Sequence, residues 1–360
     1  MKYKIKLTPL DWYFLGGETT FGEGDRRNYY AQSNLLPQES ALLGMLRFEL
    51  LKANRQIPIT DNSTAIKLVG EKGFSYENGI NDNDTIYGLI KSISPLFIEK
   101  DSELLYKISG CYNQQLRFES GIASLEFSLE KEKRIPKIEN FTCKNLLPEQ
   151  WGSLSGKMYK ELDENNPSTC IFRKKTKIGI TKVQAERFDD NQDGFFKTEL
   201  CCLNPGFSFV FYANIDDESF KGIKHVFLGA ERSMFSMEVT EDTIETSFEK
   251  QILNAYSTIS ELNEIFFIGD AFVPQDALTL CEFAWIETIP FKNISRAVAK
   301  GKNYASLSKH EKSQRFNLIK RGGVLFFLDN NKDELLKFIE NNYFKKSGYN
   351  HFIVKTTNKK

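Results

Sequence analysis

Residues 3–54 read YKIKLTPLDWYFLGGETTFGEGDRRNYYAQSNLLPQESALLGMLRFELLKAN, and the expected fold follows from this stretch. Tyr3, Ile5 and Leu7 alternate with lysines, the period of a half-buried strand. The segment GGETTFGEGDRRNYYAQSN is too rich in glycine and polar groups to pack as a core element, so it reads as a functional loop. It carries Arg26, Arg27, Tyr29 and Tyr30. Pro37 then opens a segment in which Leu42, Leu43, Met45, Leu46, Leu50 and Leu51 fall at helical spacing, since proline suits a first turn.

Working outward, AIKLVG, LIKSISPLFIEK, LLYKIS and ASLEFSLE read as short strands, broken by clusters such as NGINDND. LLPEQWGSLSGKMYKELDENNPS reads as a helix or loop, and it places a domain boundary near residue 150. Beyond it, IFRKKTKIGI, FFKTELCCL, FSFVFYANI and HVFLGAERSMF read as strands and SFEKQILNAYSTISEL as a helix. GGVLFFLD, DELLKFIENNYF and HFIVK give strand, helix, strand. Few helices among many strands predict an α+β protein, with antiparallel sheets carrying helices on one face.

The chain has 360 residues, equal numbers of acidic and basic side chains, 30 Phe and 14 Tyr. A neutral total supplies no global field toward nucleic acid or anionic membrane, so any RNA site must be local. The aromatic excess is either core or stacking surface. Six cysteines without a CxxC pair, and no signal sequence, fit a reducing cytoplasm. No apolar run approaches the ~20 residues of a membrane helix.

Charge is nonetheless clustered. Residues 291–323 hold Lys292, Arg296, Lys300, Lys302, Lys309, Lys312, Arg315, Lys320 and Arg321 against Glu311 alone. Arg173, Lys175 and Lys177 alternate along one predicted strand and so share a face.

Enzyme signatures are weak. The histidines are His225, His310 and His351, and GSLSG is not a nucleophile elbow because Leu154 holds the nucleophile position. DDNQDG starts like a calcium loop, but Leu200 stands where the bidentate carboxylate belongs, and an exposed hairpin tip explains it better. No spacing suggests zinc, and no metal or cofactor is expected. GGETTFGEG matches neither dinucleotide nor P-loop spacing. It is either a solvated loop with inward tyrosines or a place where RNA backbone meets main chain, Arg26 and Arg27 meeting phosphates and Tyr29 or Tyr30 stacking on bases. Gly44 and Arg47 lie one helical turn apart, so Arg47 either reaches a ligand lying over Gly44 or is an ordinary surface arginine.

PLDWYFLGG with NYYAQSNLLPQESALLGMLRFELL, TKIGIT with DGFFKTE, and FLGAERSMF together resemble the RAMP superfamily of CRISPR-associated proteins. Within it they are most similar to the third-subunit family of the Cmr (type III-B) effector complex. Ala230 departs from that family's second glycine, and SGYNHFIV lacks the full Gly-rich loop, which weakens an RNA role for Gly348. The resemblance implies two ferredoxin-like (RRM-like) domains, here 1–150 and 151–360, with long inserted loops or hairpins. It implies a noncatalytic cytoplasmic subunit of antiviral defence that holds the 5′ tag of the guide crRNA and docks on the large polymerase/cyclase subunit beside backbone RAMP subunits. It adds Arg232 to the expected RNA contacts, and the basic stretch 291–323 supplies Lys320 and Arg321. The hairpin near 181–196 would be a thumb entering the guide–target duplex, with Phe195 and Phe196 as apolar wedges. Two alternatives within the superfamily are a repeat-cleaving endoribonuclease, which would use His310, and the sister subunit of type III-A complexes.

Overall fold

The computed structural model describes residues 2–16, 29–59, 61–71, 73–74, 86–110, 115–122, 132–137, 149–163, 165–166, 170–180, 195–229, 232–242, 248–256, 259–292, 294–296, 311–312 and 314–357. Strands β1 (Lys2–Pro9) and β2 (Tyr29–Gln32) precede helices α1 (Glu39–Ala53) and α2 (Asn62–Val69). There follow β3 (Ile90–Ile93), β4 (Phe97–Lys100), β5 (Glu103–Lys107), β6 (Gln115–Ile122), β7 (Glu132–Lys137), β8 (Gln150–Ser153) and β9 (Met158–Lys160). The middle of the chain supplies β10 (Phe172–Ile180), β11 (Phe195–Leu203), β12 (Phe207–Ile215), β13 (His225–Leu228) and β14 (Ser233–Glu241). The remainder holds α3 (Phe248–Ala255), β15 (Ile259–Ser260), β16 (Asn263–Phe267), α4 (Gln275–Thr279), β17 (Phe283–Trp285), β18 (Thr288–Phe291), β19 (Ile294–Arg296), β20 (Glu311–Lys312), β21 (Phe316–Ile319), β22 (Val324–Phe327), α5 (Lys332–Ile339), α6 (Asn342–Lys346) and β23 (Phe352–Lys355).

The alternation in β1 does what its period predicts. Tyr3, Ile5 and Leu7 are buried, and β1 lies between β12 and β14, pairing antiparallel with both. The largest sheet runs β13-β14-β1-β12-β4-β5-β8-β9, with β3 also paired to β12. Leu42, Leu43, Met45, Leu46 and Leu50 of α1 pack with Tyr3, Ile5, Leu7, Phe209 and Phe235 in one core. A second sheet has the order β17-β22-β16-β23, all antiparallel. Three strands, β10-β11-β2, make a small third sheet in which β2 runs parallel to β11.

Five expectations change. Tyr29–Gln32, inside the segment read as a loop, form β2 against β11 and bury Ala31. AIKLVG is not a strand but the body of α2, because the Asp61 carboxylate accepts from the Ser63 amide at 2.9 Å and caps a helix that buries Ala65 and Val69. The stretch around WGSLSGKMYK is the hairpin β8–β9, turned at Gly156, which adopts φ +88°. Pro37 precedes the first turn of α1 instead of lying in it. Sheet membership does not divide near residue 150, since β1, β3, β4 and β5 share a sheet with β8, β9, β12, β13 and β14. A boundary read from local composition misses this, because strand pairing is set by contacts distant in sequence. ASLEFSLE lies outside the described residues.

Much of the aromatic excess is core. Phe74, Phe272, Phe291, Phe344 and Tyr349 form one buried cluster, with Phe272–Phe344 centroids at 4.6 Å and Phe74–Tyr349 at 5.1 Å. Such pairs add stability beyond their buried area. Among the described residues no helix is long and apolar enough to cross a membrane.

In the second sheet Glu264 is buried on β16 beside Tyr256, Ser260 and Lys355. Burial pushes its carboxyl up to about 7, with Lys355 opposing. A folded-state pKa above the unfolded one means that the native protein holds a proton the unfolded chain releases. Stability from this group is full below about pH 4.3, falls between there and about 7, and is gone above. Glu264→Gln is therefore expected to raise the thermal midpoint at pH 8, where it adds on the order of 3 kcal/mol of stability, and to leave it nearly unchanged at pH 4. Thermal scans of both proteins across that range check it.

Candidate RNA interface

The segment Leu10–Gly16 joins three elements. The Tyr13 amide donates to the Cys201 carbonyl on β11 at 2.8 Å, and the Leu10 amide donates to Met234 on β14 at 3.1 Å. The Asn34 amide, just after β2, donates to the Leu15 carbonyl at 2.8 Å. Tyr13 is buried against Phe209 and Phe235, so this connection is anchored through the core. Trp12, between buried Tyr13 and exposed Leu10, is thereby placed over β10.

There the cationic stripe is found. Arg173, Lys175 and Lys177 are exposed on β10. The Arg173 guanidinium lies 5.5 Å and Lys175 Nζ 5.8 Å from the Trp12 ring centroid. Alternation puts Lys174 on the other face, where its ammonium pairs with Glu199 at 2.8 Å. Burial pulls Lys174 down, but Glu199 more than offsets this and its pKa is raised. On that second face Tyr30 is exposed, with its hydroxyl donating to Glu199 at 3.1 Å and Lys197 Nζ 5.1 Å from its ring. Among the described residues, one face thus carries three cations without carboxylate partners beside an indole, while on the other Glu199 pairs Lys174 and Lys197 lies over Tyr30.

The other expected contacts separate. Arg232 is exposed in the β13–β14 turn at φ +51°, its amide donating to Gly229 at 3.1 Å. Gly44 is exposed on α1 with open space around it. Arg47 does not reach over it: Nε donates to the Val69 carbonyl at 2.8 Å and a terminal nitrogen to Gly70 at 3.1 Å, so the guanidinium satisfies the end of α2. Burial lowers its pKa. Lys320 is half-buried and pairs with Glu287 at 3.4 Å.

Arg321 is the clear correction. It is 2% exposed and donates to Glu39 at 2.5 Å, to Asp270 at 3.1 and 3.2 Å and to the Leu96 carbonyl at 2.7 Å. Those bonds take four of the guanidinium's five N–H donors, and burial keeps the fifth from any phosphate. Gly348, at φ +87°, fits tightly against the Ser94 carbonyl and Glu39, a packing role. His351 is held between Glu249 and the Lys345 carbonyl, each at 3.0 Å. Arg26, Arg27, the hairpin tip 181–194 and His310 lie outside the described residues, as do the side chains of Tyr29, Phe195 and Phe196. The backbones of Phe195 and Phe196 begin β11, paired with Ile180 and Gly179.

Sequence reading missed Trp12 and Lys197. The signal was present for Trp12, an indole in a polar turn directly after a strand, but its partner strand lies some 160 residues away.

Comparison with solved structures shows which fold this is. A chain from "Cryo-EM structure of the Type III-B Cmr-beta bound to cognate target RNA and AMPPnP, state 1" superposes with TM-score 0.52 and 15% identity, covering 97% of this chain and 96% of that one. A chain from "Cryo-EM structure of the Type III-B Cmr-beta bound to cognate target RNA" gives the same score and identity over 98% and 99%. At that identity the likeness is one of fold: this is a mixed α+β chain with antiparallel sheets and few helices. The model of the CRISPR-associated protein (Cas_Cmr3) family matches residues 5–357, and the chain belongs to that family. No curated protein matches by sequence.

Proposed function

We propose that this chain is a noncatalytic RNA-binding subunit of a cytoplasmic type III-B CRISPR ribonucleoprotein. In this reading it holds the 5′ tag of the guide RNA, reaches the guide–target duplex with the hairpin between β10 and β11, and docks on the large polymerase/cyclase subunit beside the backbone subunits. The observation that carries it is the exposed stripe Arg173, Lys175 and Lys177 with Trp12 over two of its cations. Cations along a groove and an aromatic plane for bases are what single-stranded RNA requires. Membership of the Cas_Cmr3 family and the target RNA in the related assemblies support the same reading.

We read the two larger sheets as two ferredoxin-like units. Strands β16, β17, β22 and β23, with α4 and α5 between them, form a strand-helix-strand-strand-helix-strand unit of spatial order 4-1-3-2. Strands β1, β4, β12 and β14 repeat that order, with α1 as the first helix and the turn Ser219–Gly222 where the second would stand.

Ultraviolet crosslinking of the assembled complex tests the function. Guide adducts are expected on peptides containing Trp12 or Lys175, at the tag end of the guide. Adducts confined to other subunits would overturn the assignment.

A further inference from the structure

Strand β13 forms one edge of the largest sheet, and among the described residues no strand pairs with its outer side. Its main-chain polarity can be worked out from one bond. The Met237 amide donates to the Lys224 carbonyl at 2.7 Å, so that pair is hydrogen-bonded. Antiparallel ladders alternate hydrogen-bonded with non-hydrogen-bonded pairs. With the register His225↔Ser236, Val226↔Phe235, Phe227↔Met234, the amides and carbonyls of Val226 and Leu228 face β14 and those of His225 and Phe227 face outward. The Leu10 bond to the Met234 carbonyl agrees, since it turns Met234 toward β1.

The side chains beside this edge are apolar. Phe227 is 48% exposed and Met234, directly opposite it, 45%; Leu10, bonded to Met234, is 51% exposed. Val226 and Leu228 point the other way into the core that contains α1, so the strand is held firmly from behind. At either end stands an exposed cation, Lys224 before the strand and Arg232 after it. Edge strands are kept from pairing by shortness, by charge or proline, by bulges or by a covering element; β13 is short, at four residues, but has no charge or proline at its centre. This one has Phe227 at its centre and charge only at its ends.

We propose that the outer edge of β13 accepts a strand from a partner subunit, apolar at its centre and acidic at its ends. Two outward residues offer donors and acceptors in alternation, which an extended main chain matches rung for rung. Lys224 and Arg232 select acidic flanks, and Phe227, Met234 and Leu10 take the apolar side chains. RNA fits less well, because Phe227 is flanked by Leu10 and Met234, which give no stacking plane, and backbone phosphates cannot donate to the outward carbonyls. The inference rests on the reading above that the chain works as one subunit of an assembly.

The experiment co-expresses the chain with the other subunits of its effector complex and reads incorporation by native mass spectrometry. Hydrogen exchange is followed on the free chain, on the chain with tagged guide RNA and on the complex. The His225 and Phe227 amides are expected to slow at least ~10-fold in the complex alone, in line with closure of an open sheet edge. Phe227→Asp is expected to cut incorporation at least ~10-fold while the thermal midpoint and guide retention of the free chain stay put, and Leu10→Asp should act in the same direction. Protection by RNA alone, protection by self-association of the free chain, or equal incorporation of Phe227→Asp without protection each overturns the proposal. If the wild-type chain enters no complex at all, the subunit reading itself fails, and that result is distinct from the others.

Discussion

An Arg321→Ala protein is expected to lose about 3–5 kcal/mol of stability, the usual cost of removing one partner from a buried charge network. Glu39 begins α1, Asp270 follows β16, Leu96 precedes β4, and Arg321 follows β21, so one guanidinium ties the first helix to both large sheets. Without it two carboxylates remain buried. Glu39 is already pushed up by burial, with Arg321 opposing, so in the variant it would take up a proton at higher pH still. Loss should accordingly be greatest at neutral pH and smaller in acid, where protonation relieves the stranded charges. Adding Glu39→Gln should recover part of the loss, the signature of direct coupling. Chemical and thermal unfolding at pH 5 and pH 8 check all three statements. An unchanged midpoint would mean that the network is solvated and the two sheets are held by aromatic packing alone.

Replacing Arg173, Lys175 and Lys177 together by alanine is expected to weaken guide retention by on the order of 10- to 100-fold near 0.1 M salt. The slope of log affinity against log salt should become shallower by about 2, because each phosphate contact on single-stranded RNA contributes about 0.7. Stability should change little, since the three side chains are exposed on a strand whose core residues are untouched. Arg47→Ala supplies the contrast: it should lower the thermal midpoint by freeing the carbonyls of Val69 and Gly70, with retention by the folded fraction unchanged. Filter binding across a salt series, normalised to folded protein, measures both. Equal retention by the triple variant and the wild type would remove β10 from the RNA path.

Residues 3–54 were legible where short-range chemistry decides. The strand followed from the alternation of Tyr3, Ile5 and Leu7, and the helix from leucines at helical spacing. The shared face of Arg173, Lys175 and Lys177 followed from the pleat. AIKLVG was misread because its β-branched residues favour a strand, while Asp61 at its start imposed a helix cap.

Which residues carry charge, which alternate and where the chain must turn are properties of neighbours within a few positions, and these are written in the amino-acid order. Only the tertiary structure decided which cations are available. Arg321 and Arg173 are the same side chain in similarly basic stretches, yet one is buried between Glu39 and Asp270 and the other lies exposed beside Trp12. The physical reason is that burial and pairing depend on partners as many as 282 residues apart, which folding alone brings together.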